Sequence, residues 1–448
     1  MSFPRYPEYK DSGVEWLGEV PMHWNVKRLK QTCNVFPSNV DKKSYDGETP
    51  VLLCNYTDVY YNDTIVGGPD FMAATATQEQ IAKFTLRAGD TIITKDSETA
   101  DDIAIAAYVP ADLPGVICGY HLSMIRPTKD ADGAFVKRLF DSTYVKSCVA
   151  VRANGLTRVG LGQYEIDNLD LPFPPITEQT QIAAFLDRET AKIDALVAEQ
   201  RRLMALLKEK RQAVISHAVT RGLNLHAPLK PSGIEWLGDV PEHWDVSAIK
   251  RYADKITDGA HVSPETETGV FHFVSTKDVG TDFIDFENCL LTSAQSYEAM
   301  VKTGCRPEVG DVLFSKDGTI GRTVAIREDR DFVVASSLII IRPTAIILNS
   351  DFLNWLCQSQ GIANQVECFV KGAGLPRLSI QNLTKVVGCF PPPIEQMEIS
   401  AYLNAESAKF DTLTTEAQRA IDLLQERRTA LISAAVTGQI DVRGAALL

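Results

Sequence analysis

The chain has 448 residues, of which 45% are hydrophobic and 23% charged, and a formal net charge of −13. Such a length and apolar content suffice for two or three packed domains and exclude a chain dominated by disorder. The acidic balance speaks against a generic polyanion binder, since sequence-independent affinity for nucleic acid comes from Lys and Arg displacing counterions; charge can still be segregated into a basic groove among acidic outer faces.

The N-terminus, MSFPRYPEYKDSG, lacks the apolar stretch of a secretory signal, and apolar runs such as Leu338 to Ile341 are far too short to span a bilayer. A cytoplasmic protein with no membrane partner is expected. Nine cysteines, Cys33, Cys54, Cys118, Cys148, Cys289, Cys305, Cys357, Cys368 and Cys389, show no Cys-x-x-Cys pair and no histidine at ligand spacing. Buried free thiols in a reducing compartment, and no metal, are the expectation.

The segment Ser12 to Trp24, SGVEWLGEVPMHW, returns 220 positions later as Ser232 to Trp244, SGIEWLGDVPEHW. A repeat this long is one structural unit duplicated, not a stack of short units. Its glycines and proline mark turns and its tryptophans supply anchoring area, so residues 1–24 and 225–244 read as straps. His23 and His243 stand beside tryptophans at turns, where packed or hydrogen-bonded histidines are commoner than ligands.

Mixed regions follow at 25–171 and 245–389. Runs rich in β-branched residues, Thr91 to Thr94, Ile103 to Val109, Val312 to Ser315, Thr323 to Arg327 and Leu338 to Arg342, predict strands, with helices near Phe135 to Val149 and Asp351 to Phe369. A compact α+β domain is expected in each half.

Inside each region a Gly-Asp turn leads into a strand ending in a hydroxyl, a lysine and an aspartate: Gly89-Asp90 to Thr94-Lys95-Asp96, and Gly310-Asp311 to Ser315-Lys316-Asp317. The copies then diverge, into Ser97-Glu98-Thr99 in the first and Gly318-Thr319-Ile320-Gly321-Arg322 in the second. A shared frame with unlike loops is what two readers of different targets need, and equally what drifting surface turns produce. A second frame sets Asn154-Gly155-Leu156-Thr157-Arg158 against Gly372-Ala373-Gly374-Leu375-Pro376-Arg377. Such glycine turns expose N–H groups, and the arginine can fork onto phosphate or guanine, or form a structural salt bridge. Further candidates are Tyr120 and His121 in the first copy, and Asp258 to His261 with Lys277 in the second.

Each half closes on a proline block, Leu171 to Ile176 and Cys389 to Ile394, followed by helical regions at 172–224 and 390–440. The prolines end a strand and stiffen the start of the helix, and Glu178 and Glu395 suit its positive end. The spacing predicts a short helix through Phe185 and Tyr402, then a longer one capped by Thr190 and Ser407. Apolar residues at Ile193, Leu196, Leu203, Leu207 and Val214, and at Phe410, Leu413, Ala420, Leu424 and Leu431, recur close to every 3.5 residues, the period of an interhelical seam. Antiparallel pairing would give a pseudo-two-fold axis and a rod of roughly 45 Å.

Catalytic motifs are missing. There is no phosphate loop, zinc helix or nucleophile elbow, and the proline blocks lack the leading Asn or Asp and trailing aromatic of an amino-methyltransferase loop.

The ordered, duplicated set of Glu15-Trp16-Leu17-Gly18 and Glu235-Trp236-Leu237-Gly238, Pro-Pro-x-x-Glu-Gln, Gly-Asp strands ending in lysine, and Gly-Leu-x-Arg turns resembles the specificity subunit of type I restriction-modification systems over nearly the full chain. The resemblance implies an α+β fold of two target recognition domains separated by an antiparallel pair of long helices. It also implies a non-catalytic reader of double-stranded DNA, each domain taking one half of a split target. Two modification subunits carrying S-adenosylmethionine, and restriction motor-nuclease subunits, are the implied partners, and this chain itself is expected to hold no cofactor. The family's roles fall on Lys95, Asp96, Ser97, Glu98, Tyr120, His121 and Arg158 in the first domain, and on His261, Lys277, Ser315, Lys316, Gly318, Thr319, Arg322, Lys371 and Arg377 in the second. Lysines would sit on phosphates, while serine, glutamate and arginine would read base edges. The rival readings are a coiled-coil scaffold joining two proteins without touching DNA, and a stand-alone methyltransferase or nuclease.

Overall fold

A computed structural model describes residues 3–68, 70–262, 264–265, 269–370 and 376–444. The chain divides into two compact units, one of residues 1–200 with 418–448 and the other of residues 201–417. No described helix is long and apolar enough to cross a membrane.

In the first unit, strands Tyr9–Asp11 and Glu19–Pro21 pair antiparallel and build the strap. Trp24 is fully buried while Trp16 stays 56% exposed, so only one of the two strap tryptophans is an anchor. Strand Asn25–Arg28 pairs with Asp170–Phe173, which bolts the start of the recognition domain to its end. Between them lies a four-stranded sheet in the order Cys33–Pro37, Leu122–Pro127, Thr91–Thr94, Ala106–Tyr108, and a three-stranded sheet in the order Val116–Cys118, Thr49–Cys54, Met72–Ala76.

The second unit repeats this plan. Leu229–Pro231 pairs with Asp239–Pro241, and Asp245–Ala248 with Val387–Phe390. Its four-stranded sheet runs Ala253–Asp258, Leu338–Pro343, Val312–Ser315, Thr323–Ala325, and its three-stranded sheet Leu290–Thr292, Phe271–Val274, Phe332–Val334.

Strand periodicity explains why these sheets are apolar on both sides. Successive side chains point to opposite faces. Ile93 and Ile125 pack with the helices of the first unit, whereas Ile92, Leu122 and Met124 pack against its three-stranded sheet. In the second unit Val312, Phe314, Ile339 and Ile341 take the helical face, and Leu313, Leu338 and Ile340 the other.

Several expectations need revision. The strand expected over Ile103 to Val109 is confined to Ala106–Tyr108, because Ala104 turns with φ +58°. Each predicted helical stretch is broken by a serine: Ser142 ends Gly133–Asp141 and caps Thr143–Ala150, and Ser359 caps Gln360–Phe369 after Ser350–Cys357. Eight cysteines are buried as free thiols, but Cys368 is exposed.

The long helices are continuous, Ile176–Arg221 and Pro393–Val436. Thr190 and Ser407 therefore lie inside them and cap nothing; the Thr190 hydroxyl donates to the Leu186 carbonyl one turn back. At 46 residues the first helix is about 69 Å long, well beyond the expected 45 Å. Ile193, Leu207 and Phe410 are buried, and Val214, Leu424 and Leu431 half-buried, but Leu196, Leu203 and Leu413 face solvent. The covered positions are instead 193, 197, 200, 204, 207, 211, 214 and 218, and 403, 407, 410, 414, 417, 421, 424 and 428, alternating steps of three and four. That is the true heptad.

Within each unit the two helices run antiparallel. In the first, Arg428 pairs with Asp194, and Ile182, Ala183, Phe185 and Leu186 share a core with Ile432, Ala435 and Val436. In the second, Arg211 pairs with Asp411, and Ile215, Ala218 and Val219 share a core with Ile399 and Leu403.

Candidate functional site

The Glu-Gln pair after each proline block positions what surrounds the candidate site. Glu178, buried in the first helical turn, accepts hydrogen bonds from Tyr6 Oη (2.7 Å) and Trp24 Nε1 (3.1 Å) and faces His23 Nε2 at 2.8 Å, which ties the strap to the helix. Burial, followed by the bond to Glu178, pushes the Tyr6 hydroxyl well above its ordinary pKa. Gln179, also buried, accepts from Asp132 N and donates to the carbonyls of Asp130 and Pro174, tying the recognition domain to the same turn. Glu395 repeats the strap contacts with His243 and Trp244, and Gln396 binds Asn349 N and the carbonyls of Ile347 and Pro391.

The Gly-Asp turns are likewise structural. Asp90 caps the turn through Arg87 N and grips Arg126 with both oxygens at 2.7 Å; Asp311 does the same with Glu308 N and Arg342. These pairs fix the central strand whose end carries Lys95 or Lys316.

At that end in the first domain, Lys95 is pinned through its backbone to His121 O and Leu161 N. Its ammonium donates to Ser38 O (2.8 Å) and lies 4.5 Å from the centre of the Tyr120 ring. Burial lowers its pKa, with Asp96 pulling the other way. Asp96 receives His121 Nδ1 at 2.8 Å and Arg158 at 2.9 Å. Strand Asp96–Ser97 pairs with Val159–Gly160, closing the loop that carries Arg158. Gly155 is obligatory in that loop: its φ is +146°, and a Cβ there would stand 1.9 Å from Arg158 O. Ser97 is buried, and Glu98 is exposed.

The structure thus brings Lys95, Asp96, Ser97, Tyr120, His121 and Arg158 together. It adds residues that the motif reading missed. Tyr56, whose hydroxyl hydrogen-bonds Ser97 and is pushed up chiefly by burial, stacks on Tyr60 with ring centres 5.4 Å apart. Tyr60 donates to Asp102 at 2.8 Å, and Tyr61 stands 76% exposed. The four-residue spacing of Tyr56 and Tyr60 was the available signal, but it belongs to a helix of five residues, too short to show a pattern.

The second domain keeps the frame and changes the side chains. Lys316 is pinned to Ser337 O and Leu378 N as Lys95 is to His121 and Leu161. Its ammonium is buried against Asp258, which also receives His261 Nε2 at 2.8 Å. Burial pulls the Asp258 carboxyl up, but the bonds from Lys316 and His261 prevail and hold it below the usual range. Arg377 pairs with Asp317 at 2.9 Å, as Arg158 does with Asp96.

The buried Ser315 hydroxyl donates to Thr319 O and accepts from Arg322 N, so it shapes the loop presenting Gly318 and Thr319. Arg322 donates to Val279 O, and Lys277 is exposed on the turn that Ser337 holds through Thr276. Lys371 and the glycine turn at 372–375 lie outside the described residues. Among the described residues no group of three or more His, Cys, Asp or Glu side chains is placed to hold a metal ion.

Comparison with known proteins gives a consistent result. The profile of the family "Type I restriction modification DNA specificity domain" matches residues 21–203. The EcoKI specificity subunit of Escherichia coli K12 is 22% identical over 73% of this chain and 68% of its own length, and the EcoBI subunit of Escherichia coli 23% over 68% and 66%. A Methanocaldococcus jannaschii protein assigned as the MjaX specificity subunit is 26% identical, but the chain spans only 52% of its length. In fold, a chain from a study of assembly and conformational transition of the type I R-M system superposes with a TM-score of 0.68 at 20% identity, covering 93% of this chain and 98% of that one. The HsdS subunit of Thermoanaerobacter tengcongensis gives 0.52 at 18%, covering 94% and 98%. Residues 21–203 thus match the family model of the type I restriction modification DNA specificity domain, and the chain is similar in sequence to specificity subunits of type I restriction enzymes and in fold to the HsdS subunit.

Proposed function

We propose that the chain is the non-catalytic sequence-specificity subunit of a type I restriction-modification complex. Each recognition domain reads one half of an asymmetric, bipartite target in double-stranded DNA. The long helices set the spacer between the halves and dock two adenine methyltransferase subunits, and restriction subunits join for cleavage. S-adenosylmethionine belongs to the methyltransferase partner, this chain holding no cofactor, and the complex works in the cytoplasm. Adenine methylation requires the base to leave the duplex, a task assigned to the partner. Basic surface on such partners offsets the charge of −13 carried here.

One observation carries this reading. The same sheet order and the same backbone clamps around Lys95 and Lys316 occur twice, with unlike side chains in the surrounding loops. A frame repeated with altered contacts suits two readers of one kind of ligand.

Methylated adenines mapped after co-expression with the cognate modification subunit test it. A single motif of two specified halves around a fixed unspecified gap is expected. Methylation that does not depend on this chain overturns the reading, and partner binding with no shift of duplex DNA in gels favours the scaffold.

A further inference from the structure

Equivalent lysines end the central strands of the two recognition domains, yet their electrostatic settings are opposite. In the second domain, Asp258 lies opposite Ile339 in the strand ladder and its carboxylate neutralises Lys316, whose side chain is 6% exposed. The first-domain equivalent of Ile339 is Ser123, and its ladder partner is Pro37, which offers no charge. Lys95 therefore has a backbone carbonyl, Ser38 O, and the face of Tyr120 as its partners. Neither cancels a unit charge. The neighbouring carboxylate, Asp96, is engaged by His121 and Arg158. Lys95 is half-buried and its platform Tyr120 is 52% exposed, so the lysine is not sealed in a core as Lys316 is.

The geometry points to Lys95 as a cation that holds a phosphodiester of the DNA half-site read by the first domain, and to Lys316 as a neutralised frame residue that makes no such contact. This rests on the DNA-reading function proposed above. Two lysines in the same motif thus have separate duties, and the domains grip the DNA backbone unequally. Tyr120 supplies a platform that holds the ammonium beside a half-exposed ring at a modest energetic gain.

The test is the salt dependence of duplex binding by the chain assembled with its modification subunits, using a fluorescent duplex that carries the mapped motif. Each phosphate contact contributes about 0.9 to the slope of log affinity against log salt concentration. Lys95→Gln is expected to lower the slope by about 0.9 and to weaken binding about eightfold at 0.1 M salt. Lys95→Arg, which keeps the charge, should retain the slope. Lys316→Gln removes the buried partner of the Asp258 carboxylate, leaving it the more exposed His261, and threatens folding, so Asp258→Asn with Lys316→Met is the informative counterpart: it removes both ions together and should leave the slope unchanged. An unaltered slope in Lys95→Gln, or an equal loss in the Asp258 and Lys316 double variant, overturns the assignment. Failure of the unsubstituted complex to bind the duplex overturns the parent reading instead, so the two failures are distinguishable.

Discussion

At the scale of residues, Glu178 carries an unusual load, since three side chains of the strap converge on one buried carboxylate. Glu178→Ala would leave the Tyr6 hydroxyl and the Trp24 indole N–H without acceptors, at a cost of about 2–4 kcal/mol from two lost hydrogen bonds to a charged group. Glu395→Ala should cost less, because Glu395 is a quarter exposed and water can replace it. Urea denaturation of both variants checks the order; an equal effect would contradict it. Arg158 and Arg377 pose the opposite case. Both are more than half exposed, and their pairs with Asp96 and Asp317 are surface ion pairs, each adding no more than about 1 kcal/mol of stability. Arg158→Ala and Arg377→Ala should therefore barely move thermal stability while weakening target binding by about 1–3 kcal/mol each, if the arginines turn to base edges when DNA arrives. Unchanged binding with lowered stability would assign them to the frame. Here the sequence was readable only halfway. It located Arg158 and Lys95, but Asp258 reaches Lys316 across 58 residues, and nothing local to either distinguishes a neutralised lysine from an open one.

At the scale of elements, the long helices show why bulk hydrophobicity misplaces a seam. Leu196, Leu203 and Leu413 are strong apolar signals one position away from the covered line, which is filled by Val197, Gln200, Met204, Thr414 and Ala417. Polar residues at such positions weaken a coiled coil but fix its register. Arg211 with Asp411, and Arg428 with Asp194, provide that fixing in the two units. The sheets were easier to foresee, because Thr91–Thr94 and Leu338–Pro343 are continuous buried runs whose alternating residues serve two cores. A four-residue insertion between Leu203 and Lys210 follows from the heptad. It adds about 6 Å, less than the rise of two base pairs, and rotates the seam by only about 40°, a stutter that a coiled coil tolerates. The methylation motif of that variant should keep both half-sites and lengthen the unspecified gap by one or two base pairs. Altered half-sites would show that the helices do more than measure.

At the scale of the whole molecule, duplication and divergence together dictate the form of the target. The capping boxes of Asn55 with Asp58 and of Ser275 with Asp278 align Tyr56 with Thr276, and the backbone clamps on the lysines align His121 with Ser337 and so Tyr120 with Ser336. One domain thus surrounds its lysine with tyrosines where the other has small hydroxyl residues. Bulky aromatic faces stack or meet methyl groups, whereas hydroxyls exchange hydrogen bonds with base edges, so the same docking pose yields different base preferences. If both domains read, their half-sites must be unlike, and the methylation motif must lack two-fold symmetry. Sequencing of methylated adenines decides the matter. A palindromic motif would mean that the residues which differ between the domains do not touch bases, and that recognition resides in what the copies share.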